Sequence, residues 1–415
     1  MKLVKSVAAI AVAACLAVVC AGCSSSGSSS AASASASASS ASAAASSEAA
    51  SSEAASSGAA ADADKAAAAK VDELIAAIQV QERTDTTDAD CKAAKEAWDA
   101  LTDAQKELVE EADYFGLDTG DASADDPLAT APDKENEILV VSFGTSFNDS
   151  RVATIGAVEK AIAAAFPDWS VRRAFTAQII INHIAARDGE QINTVQQALD
   201  LAKEAGVKNL VVAPTHLMHG AEYDELTAAL KPYEADMTIT ISEPLLGEVG
   251  KDATVINEDK KTVGEAAVAA AVETAAVDSL EAAEKDGTAF VLMGHGTSHE
   301  ANVTYDQMQT VMDELGYKNV FIGTVEGEPE DTACEAVIKK VKDAGYKKVI
   351  LRPFMVVAGD HANNDMADLD DPESWASQFT AAGFDVENQI NGLGEIPEVQ
   401  KVYVAHVQAA VDQAK

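Results

Sequence analysis

Ala289-Phe-Val-Leu-Met-Gly-His-Gly296 is a short apolar run that ends in glycine, and Ile138-Leu-Val-Val-Ser-Phe-Gly144 is a second run of the same kind. Each is followed at once by Thr-Ser, at Thr145-Ser146 and Thr297-Ser298. Longer segments of helical character separate such runs along the rest of the chain. Short apolar strands that alternate with helices are typical of parallel sheets covered on both faces. The pattern therefore predicts an α/β fold from residue 136 onwards.

A second pair of matching segments indicates an internal duplication. Val207-Lys-Asn-Leu-Val-Val-Ala-Pro214 resembles Tyr346-Lys-Lys-Val-Ile-Leu-Arg-Pro353, and each runs on to a glycine a few residues later. Two halves with the same order predict two doubly wound parallel-sheet lobes, residues 136–285 and 286–415, that face each other across a cleft. Chance similarity between two generic α/β units is the alternative. Ligands of such folds bind at the carboxyl ends of the strands.

The first 23 residues have the pattern of a secretory signal. A charged start precedes the apolar stretch from Val7 to Val19, which is too short for a comfortable membrane span. Cys20-Ala-Gly-Cys23, followed by serines, resembles a bacterial lipobox, so we expect an exported protein that is held at the cell membrane only by a lipid on Cys23. Cys15 is a competing lipidation site. An uncleaved anchor and ordinary secretion are the alternatives.

Three further segments precede the α/β body. Residues 24–64 are almost only Ser, Ala and Gly, which predicts a disordered tether. Residues 65–117 show helical periodicity and resemble the small three-helix modules of bacterial surface proteins, so we expect a small all-α stalk module. Residues 118–135, rich in Asp, Ala and Pro, are predicted to be a linker.

The charge of the chain excludes one class of partner. Its 415 residues carry 30 Lys and Arg against 68 Asp and Glu, a formal net charge of −38. Nucleic acids and anionic lipid headgroups would be repelled, whereas divalent cations would be attracted. The five cysteines do not form a disulfide scaffold, because three lie in the first 23 residues and the other two are far apart.

Three residues of metal-binding types fall at predicted strand ends of the second lobe. His295, Glu326 and His361 each follow a different apolar strand, about one strand–helix unit apart. Neighbouring strands of one parallel sheet would bring them to the same edge. Two imidazoles and one carboxylate suit divalent Co, Fe, Ni or Zn and leave positions open for a substrate. Histidines in α/β loops are also often plain surface residues, which is the competing interpretation.

The motifs together resemble a known family, the small, ATP-independent (class II) anaerobic cobalt chelatases of vitamin B12 synthesis, which act on sirohydrochlorin. The resemblance covers about residues 136–413, and the segment Ala358-Gly-Asp-His-Ala-Asn-Asn-Asp-Met366 is its most specific part. The other segments that carry it are Val140-Val-Ser-Phe-Gly-Thr-Ser146, Arg173-Ala-Phe-Thr176, Met293-Gly-His-Gly296, Val325-Glu326 and Asn391-Gly-Leu-Gly-Glu395.

The resemblance implies a function and a set of roles. It implies insertion of Co²⁺ into a free-base tetrapyrrole, with His295, Glu326 and His361 as metal ligands and the two histidines as proton acceptors. Glu222 would face the substrate from the first lobe and guide metal or accept a proton. No nucleotide is expected, and the sequence contains no P-loop motif.

Other polar residues of the first lobe are candidates for binding the substrate. Ser142, Thr145 and Ser146 could bind its carboxylates, although they could equally be helix caps. Arg173 could pair with a substrate carboxylate. His216 could line the cleft or be an ordinary turn residue.

Two other functions stay open at this point. The export signal conflicts with the cytoplasmic location of B12 synthesis, so a surface-tethered protein that binds metal, tetrapyrrole or haem is the main alternative, and a chelatase for Fe²⁺ or Ni²⁺ is another. A homo-oligomer is compatible with either. The net charge of −38 also opposes a polycarboxylate substrate, so local basic residues in the cleft have to offset the general field.

Overall fold

The computed structural model describes residues 48–116 and 119–414, the first of these up to residue 60 as backbone only. The predicted signal (1–23), with Cys15 and Cys23, and the first part of the predicted tether lie outside these residues. The chain divides into two compact units, residues 1–56 and 57–415, and the contacts below all lie within the second. Within the described ranges, no helix combines the length and the hydropathy needed to cross a bilayer.

The first half of the α/β body forms a four-stranded parallel sheet with the strand order β2-β1-β3-β4. The N-terminal module comes before it in the chain and contains α1 (Glu48–Ile78), α2 (Thr87–Asp99) and α3 (Asp103–Lys106). The elements of the first half are β1 (Asn136–Ser142), α4 (Asn148–Ala153), α5 (Ile155–Ala165), β2 (Ser170–Phe175), α6 (Gln178–Asp188), α7 (Val195–Ala205), β3 (Asn209–Pro214), α8 (Ala221–Leu230), β4 (Thr238–Ile241) and α9 (Glu258–Thr274).

The second half repeats this arrangement, with the order β6-β5-β7-β8. Its elements are α10 (Leu280–Lys285), β5 (Thr288–Gly294), α11 (Val303–Glu314), β6 (Val320–Thr324), α12 (Cys334–Asp343), β7 (Lys348–Pro353), α13 (Trp375–Ala381), β8 (Asp385–Asn388) and α14 (Pro397–Ala414). The equal order of the strands supports the predicted duplication.

Both sheets are covered on both faces because successive residues of a strand point to opposite sides. In β1, Leu139 and Val141 pack against α7 and α8, while Ile138 and Val140 join a core on the other face. In β5, Val291 and its neighbours pack in the same way against α12 and α13. The inner faces of the two sheets share one continuous core. The predicted fold class, two doubly wound α/β lobes, is confirmed.

The last helix of each half packs on the other lobe. Helix α9 lies against the second sheet, where Thr274 and Ala271 accept hydrogen bonds from Arg352 (3.1 Å) and Gln389 (3.0 Å). Helix α14 returns to the first lobe, where the Tyr403 hydroxyl donates to the Thr215 carbonyl (2.8 Å). The structural lobes therefore differ from the predicted ranges 136–285 and 286–415 by an exchange of these helices.

The helical module also differs from its prediction. Helix α1 begins at Glu48, inside the predicted tether, because alanine is the strongest helix former. The module is no separate stalk, since it packs on α6: Asn182 donates to the Ile78 carbonyl (2.8 Å), and His183 donates to the Tyr114 carbonyl (2.7 Å) while stacking on the Tyr114 ring at 4.0 Å between centroids.

The predicted linker, residues 118–135, is fixed to the first lobe where it is described. The side chain of Asp125 is buried and pairs with Arg151 (2.7 Å) and with Arg173. Burial raises the pKa of the Asp125 carboxyl, but the hydrogen bonds and charges of the two guanidinium groups outweigh it and hold that pKa below its ordinary value. This segment therefore behaves as part of the lobe, because a buried charge needs its partners.

Candidate metal-binding and catalytic site

Three predicted ligands meet at the carboxyl edge of the second sheet. Strand β5 lies between β6 and β7, so His295, directly after β5, stands between Glu326 and His361. The rings of His295 and His361 meet edge to face with 4.6 Å between centroids. The Nε2 atom of His295 is 4.0 Å from Oε1 of Glu326. This edge, called the metal-site edge below, thus brings two imidazoles and a carboxylate together, and their role as metal ligands stays a prediction.

The loop that carries His295 is fixed by its neighbours. The ring Nδ1 donates to the Gly296 carbonyl (2.8 Å). Gly296 has φ +94°, and a Cβ there would come within 2.9 Å of the Glu326 Cβ, so only glycine fits. The Gly296 amide donates to the hydroxyl of buried Tyr305 (3.1 Å). Because Nδ1 holds the proton, the lone pair of His295 is on Nε2, the atom that faces Glu326.

His361 is oriented by a carboxylate one turn further on. Its Nδ1 donates to Oδ2 of Asp365 (2.6 Å), within the short π-helix Ala362–Met366. Burial lowers the pKa of His361, but the hydrogen bond and charge of Asp365, with the charges of Asp360 and Glu326, outweigh it and raise that pKa above its ordinary value. Ligand atoms of Asp360, His361 and Asp365 all lie within 4.8 Å of one another. A histidine held by a carboxylate in this way is typical of metal sites.

The two imidazoles therefore offer a metal ion the same kind of ligand atom. Each commits its Nδ1 proton to an oxygen, His295 to a carbonyl and His361 to a carboxylate. Each keeps Nε2 for another partner, and Glu326 offers an exposed carboxylate beside them. Such a set binds borderline divalent ions and leaves coordination positions free.

Glu222 stands on the first lobe at the start of α8. Its side chain reaches solvent, but the surrounding protein displaces part of the water around its carboxyl group. This desolvation raises the pKa of Glu222, and the charge of Glu225 raises it further. The charge of Glu222 contributes to the raised pKa of Tyr305, the residue whose hydroxyl accepts from the Gly296 amide. On the same helical turn, Asp224 lies 3.5 Å from Nε2 of His299 in the second lobe. The start of α8 therefore faces the loop that follows His295, and the role of Glu222 stays a prediction.

The predicted carboxylate-binding residues lie below the surface instead. Ser142 is buried and accepts a hydrogen bond from Thr215 (2.7 Å). Buried Thr145 accepts from the Phe147 amide (3.2 Å), and the carbonyl of buried Ser146 accepts from Arg187 (2.6 Å). These contacts favour the alternative of turn and cap residues over substrate binding.

Arg173 is also placed differently from its prediction. Its side chain is fully buried and bonds Glu159 (2.7 Å) and Asp125, the residue that docks the N-terminal segment. The guanidinium is thus paired with two protein carboxylates and out of reach of a substrate carboxylate. An arginine near a strand end looks the same in the sequence whether it meets a ligand or a buried carboxylate.

His216 is buried at the end of β3, and neither ring nitrogen has a hydrogen-bond partner among the described residues. Burial lowers its pKa to about 4, so the ring is neutral at physiological pH. It lies next to Thr215, whose amide continues the pairing with β1. This is compatible with the predicted position along the cleft.

Sequence reasoning missed two residues that orient the histidines. Asp365 is part of the quoted motif, but no role is predicted for it from the sequence. Its spacing of four residues from His361, which brings two side chains together on a helix, is the signal that could have identified it. Tyr305 lies on α11, and nothing in its sequence surroundings indicates that its hydroxyl reaches the Gly296 amide.

Comparisons with known proteins match the two-lobed body. The model of the cobalt chelatase (CbiK) family matches residues 136–412. Sirohydrochlorin cobaltochelatase of Salmonella typhimurium is 34% identical over 278 residues, which are 67% of this chain and 97% of that protein. Sirohydrochlorin cobaltochelatase CbiKC of Nitratidesulfovibrio vulgaris is 28% identical over 288 residues, 69% of this chain and 94% of that protein.

A solved structure, SirB from Bacillus subtilis with Fe³⁺, aligns with a TM-score of 0.45 and 17% identity, over 67% of this chain and 96% of SirB. The family match leaves the N-terminal helical module outside it and contains all of the metal-site edge. Since the match spans most of the chain, the protein belongs to the cobalt chelatase (CbiK) family.

Proposed function

We propose that the chain is a metal chelatase, a sirohydrochlorin cobaltochelatase that inserts Co²⁺ into a free-base tetrapyrrole without ATP. The observation that carries the proposal is the pair of imidazoles at one sheet edge, with 4.6 Å between ring centroids and the Nδ1 of each bonded to an oxygen, inside a body that matches the cobalt chelatase family. The relatives named above as sirohydrochlorin cobaltochelatases support the choice of substrate.

The reaction requires a balance of protons and charge. A divalent ion replaces two pyrrole N–H protons, so two protons must leave as the metal–nitrogen bonds form. In the proposed mechanism His295, Glu326 and His361 hold the metal ion, which is a substrate, against the ring. As the ion moves to the pyrrole nitrogens, the imidazole nitrogens it leaves can take up protons. Glu222, whose pKa is raised, is suited to accept a proton from the other wall.

The first experiment measures metal insertion. The purified chain is mixed with sirohydrochlorin and Co²⁺ without oxygen, and the change in absorbance is followed, with Fe²⁺ and Ni²⁺ offered in parallel. We expect a rate well above the spontaneous reaction and highest with Co²⁺. An insertion rate no higher than that without protein would contradict the proposal.

A variant tests the assignment of the site. His295→Ala is expected to lower kcat/KM by about 100-fold or more, the usual loss for an essential acid–base residue. His406→Ala is the matched control, because it removes an imidazole of α14 that bonds Glu243 and Asp259 and none of the three predicted metal ligands. A His295→Ala enzyme as fast as the control would exclude His295 from the reaction.

We also propose that the protein is exported and held at the extracytoplasmic face of the membrane by a lipid on Cys23. The support is the lipobox-like Cys20-Ala-Gly-Cys23 after an apolar stretch. Fractionation of the producing cells, with Cys23→Ser and Cys15→Ser compared, tests this. Release of the Cys23→Ser protein alone from the membrane is the expected result.

A further inference from the structure

Phe143 is an aromatic residue exposed at a strand end. Its exposed fraction is 45%, whereas the strand before it and the turn after it are buried. The turn is rigid, because Gly144 has φ +104° and a Cβ there would come within 2.5 Å of the Phe175 ring. Single exposed hydrophobic residues are common, so the position of Phe143 matters more than its exposure.

That position is the counterpart of the metal-site edge. Phe143 follows β1, the second strand in the order of its sheet, as His295 follows β5 in the other sheet. Two residues on, the Thr145 Oγ1 lies 2.7 Å from the place of a Cβ on Gly359, which precedes His361 by two residues. The end of β1 is thus in van der Waals contact with the loop that carries His361.

A second feature marks the same edge as a place for a ligand. The β1–β3 pairing continues past Val141 and Pro214 through the Thr215 amide and the Thr215–Ser142 hydroxyl bond. Continued by one more residue, this register would place His216 opposite Phe143. The buried His216 ring lacks a hydrogen-bond partner among the described residues, and such buried polar groups call for an explanation.

We propose that Phe143 is the stacking residue for the tetrapyrrole, contacting the face of the macrocycle opposite to the face that meets His295 and His361. The inference rests on the proposed function. A conjugated macrocycle is planar, and a ring such as phenylalanine stacks on it by dispersion and quadrupole attraction. Metal delivered from one wall of the cleft then meets a ring that is supported from the other.

Stacking also answers the problem of charge. The field of a protein with net charge −38 opposes a substrate with many carboxylates. Arg173 is engaged in internal contacts, and so are Ser142, Thr145 and Ser146. A neutral aromatic surface attracts the macrocycle independently of charge. It also does not compete for the metal ion.

The experiment separates binding of the macrocycle from binding of the metal. Metal-free sirohydrochlorin is titrated into the full chain, and Co²⁺ is titrated separately. Phe143→Ala is expected to weaken sirohydrochlorin binding about 10-fold, Phe143→Trp to retain it and Phe143→Leu to fall between, with Co²⁺ affinity and melting temperature unchanged. Leu108→Ala, which removes another exposed hydrophobic side chain in the helical module (43% exposed), is the matched control.

Each outcome has a distinct meaning. Wild-type sirohydrochlorin affinity in Phe143→Ala, in a preparation whose wild type inserts cobalt, overturns the stacking role and leaves the proposed function intact. Equal losses in Phe143→Leu and Phe143→Ala with none regained in Phe143→Trp also overturn it. A wild-type protein that neither binds nor metallates sirohydrochlorin contradicts the proposed function itself.

Discussion

At the scale of single residues, the properties of the two histidines depend on the group that accepts the hydrogen bond from each Nδ1. His295 is held by a neutral carbonyl and His361 by a charged carboxylate. A carboxylate both orients the ring and makes its free nitrogen more basic. The two histidines are therefore unequal, and His361 is expected to be the stronger ligand and the stronger base.

Asp365→Asn tests this inequality. Loss of a partner of this kind typically lowers metal affinity 10- to 100-fold, and we expect a decrease in that range for Co²⁺ at pH 8. Because Asp365 raises the pKa of His361 and a proton competes with the metal for the ring, the pH midpoint of Co²⁺ binding should also move to lower pH. Calorimetric titration across pH measures both.

The control for this variant is Asp370→Asn, which removes the same charge from an exposed residue in the loop that follows. It should leave the affinity and the pH midpoint near those of wild type. Equal behaviour of the two variants would show that only the general charge acts on His361.

At the scale of elements, the helical module is attached by a few specific contacts. Its apolar core includes Ala185 and Ala186 of α6, and α6 also meets the module through Asn182 and His183. Helix α6 starts directly after the edge of β2, beside the end of β1. The module therefore packs on a helix that begins at the carboxyl edge of the first sheet, although the family match does not include the module.

Docking of this module should depend on pH. Burial, helped by the charge of Arg187, lowers the pKa of His183 to about 4, below its ordinary value of about 6.5. The stabilising contribution is present above about pH 6.5 and is lost as the pH falls towards 4, because the undocked form binds the proton more tightly. The protection factors of the amides in α1 and α2, which correct for the slower intrinsic exchange at acid pH, should therefore be lower at pH 4.5 than at pH 7.

The variant for this prediction is His183→Gln, which keeps a side-chain N–H donor but does not titrate. The protection factors of α1 and α2 should vary less between the two pH values in this variant, while those of His406→Gln should vary as in the wild type. A His183→Gln module with the full pH response would assign the effect to other groups.

The fold was predictable from the sequence and parts of the site were not, for physical reasons. Strands buried on both faces have an apolar pattern that identifies them, and His295, Glu326 and His361 follow from where those strands end. The sheet on which an amphipathic helix packs is not encoded in its own pattern, so the exchange of α9 and α14 was missed. Asn182 and His183 likewise have no pattern that indicates a docked module.

At the scale of the whole molecule, the net charge of −38 acts in opposite directions on the two substrates. It concentrates divalent cations near the surface and repels a polycarboxylate macrocycle. Salt weakens both effects, because the Debye length shortens from about 30 Å at 0.01 M to about 8 Å at 0.15 M ionic strength.

We therefore expect opposite salt dependences of the two Michaelis constants. Between about 0.01 M and 0.15 M NaCl, KM should rise for Co²⁺ and fall for sirohydrochlorin, with kcat nearly constant. Steady-state kinetics with each substrate varied in turn measures this, and an uncharged osmolyte at equal osmolality is the control. Parallel changes in both constants would contradict a role for the general field.

The exchange of terminal helices has a consequence for how the chain could be divided. A cut between Thr274 at the end of α9 and Leu280 at the start of α10 would give two fragments. Each fragment would contain one four-stranded parallel sheet. Each would lack the helix that covers the inner face of its own sheet and would carry the one its partner needs. Neither fragment should be stable alone, yet the two are complementary, so the protein is suited to split-reporter use in which activity returns only on reassembly.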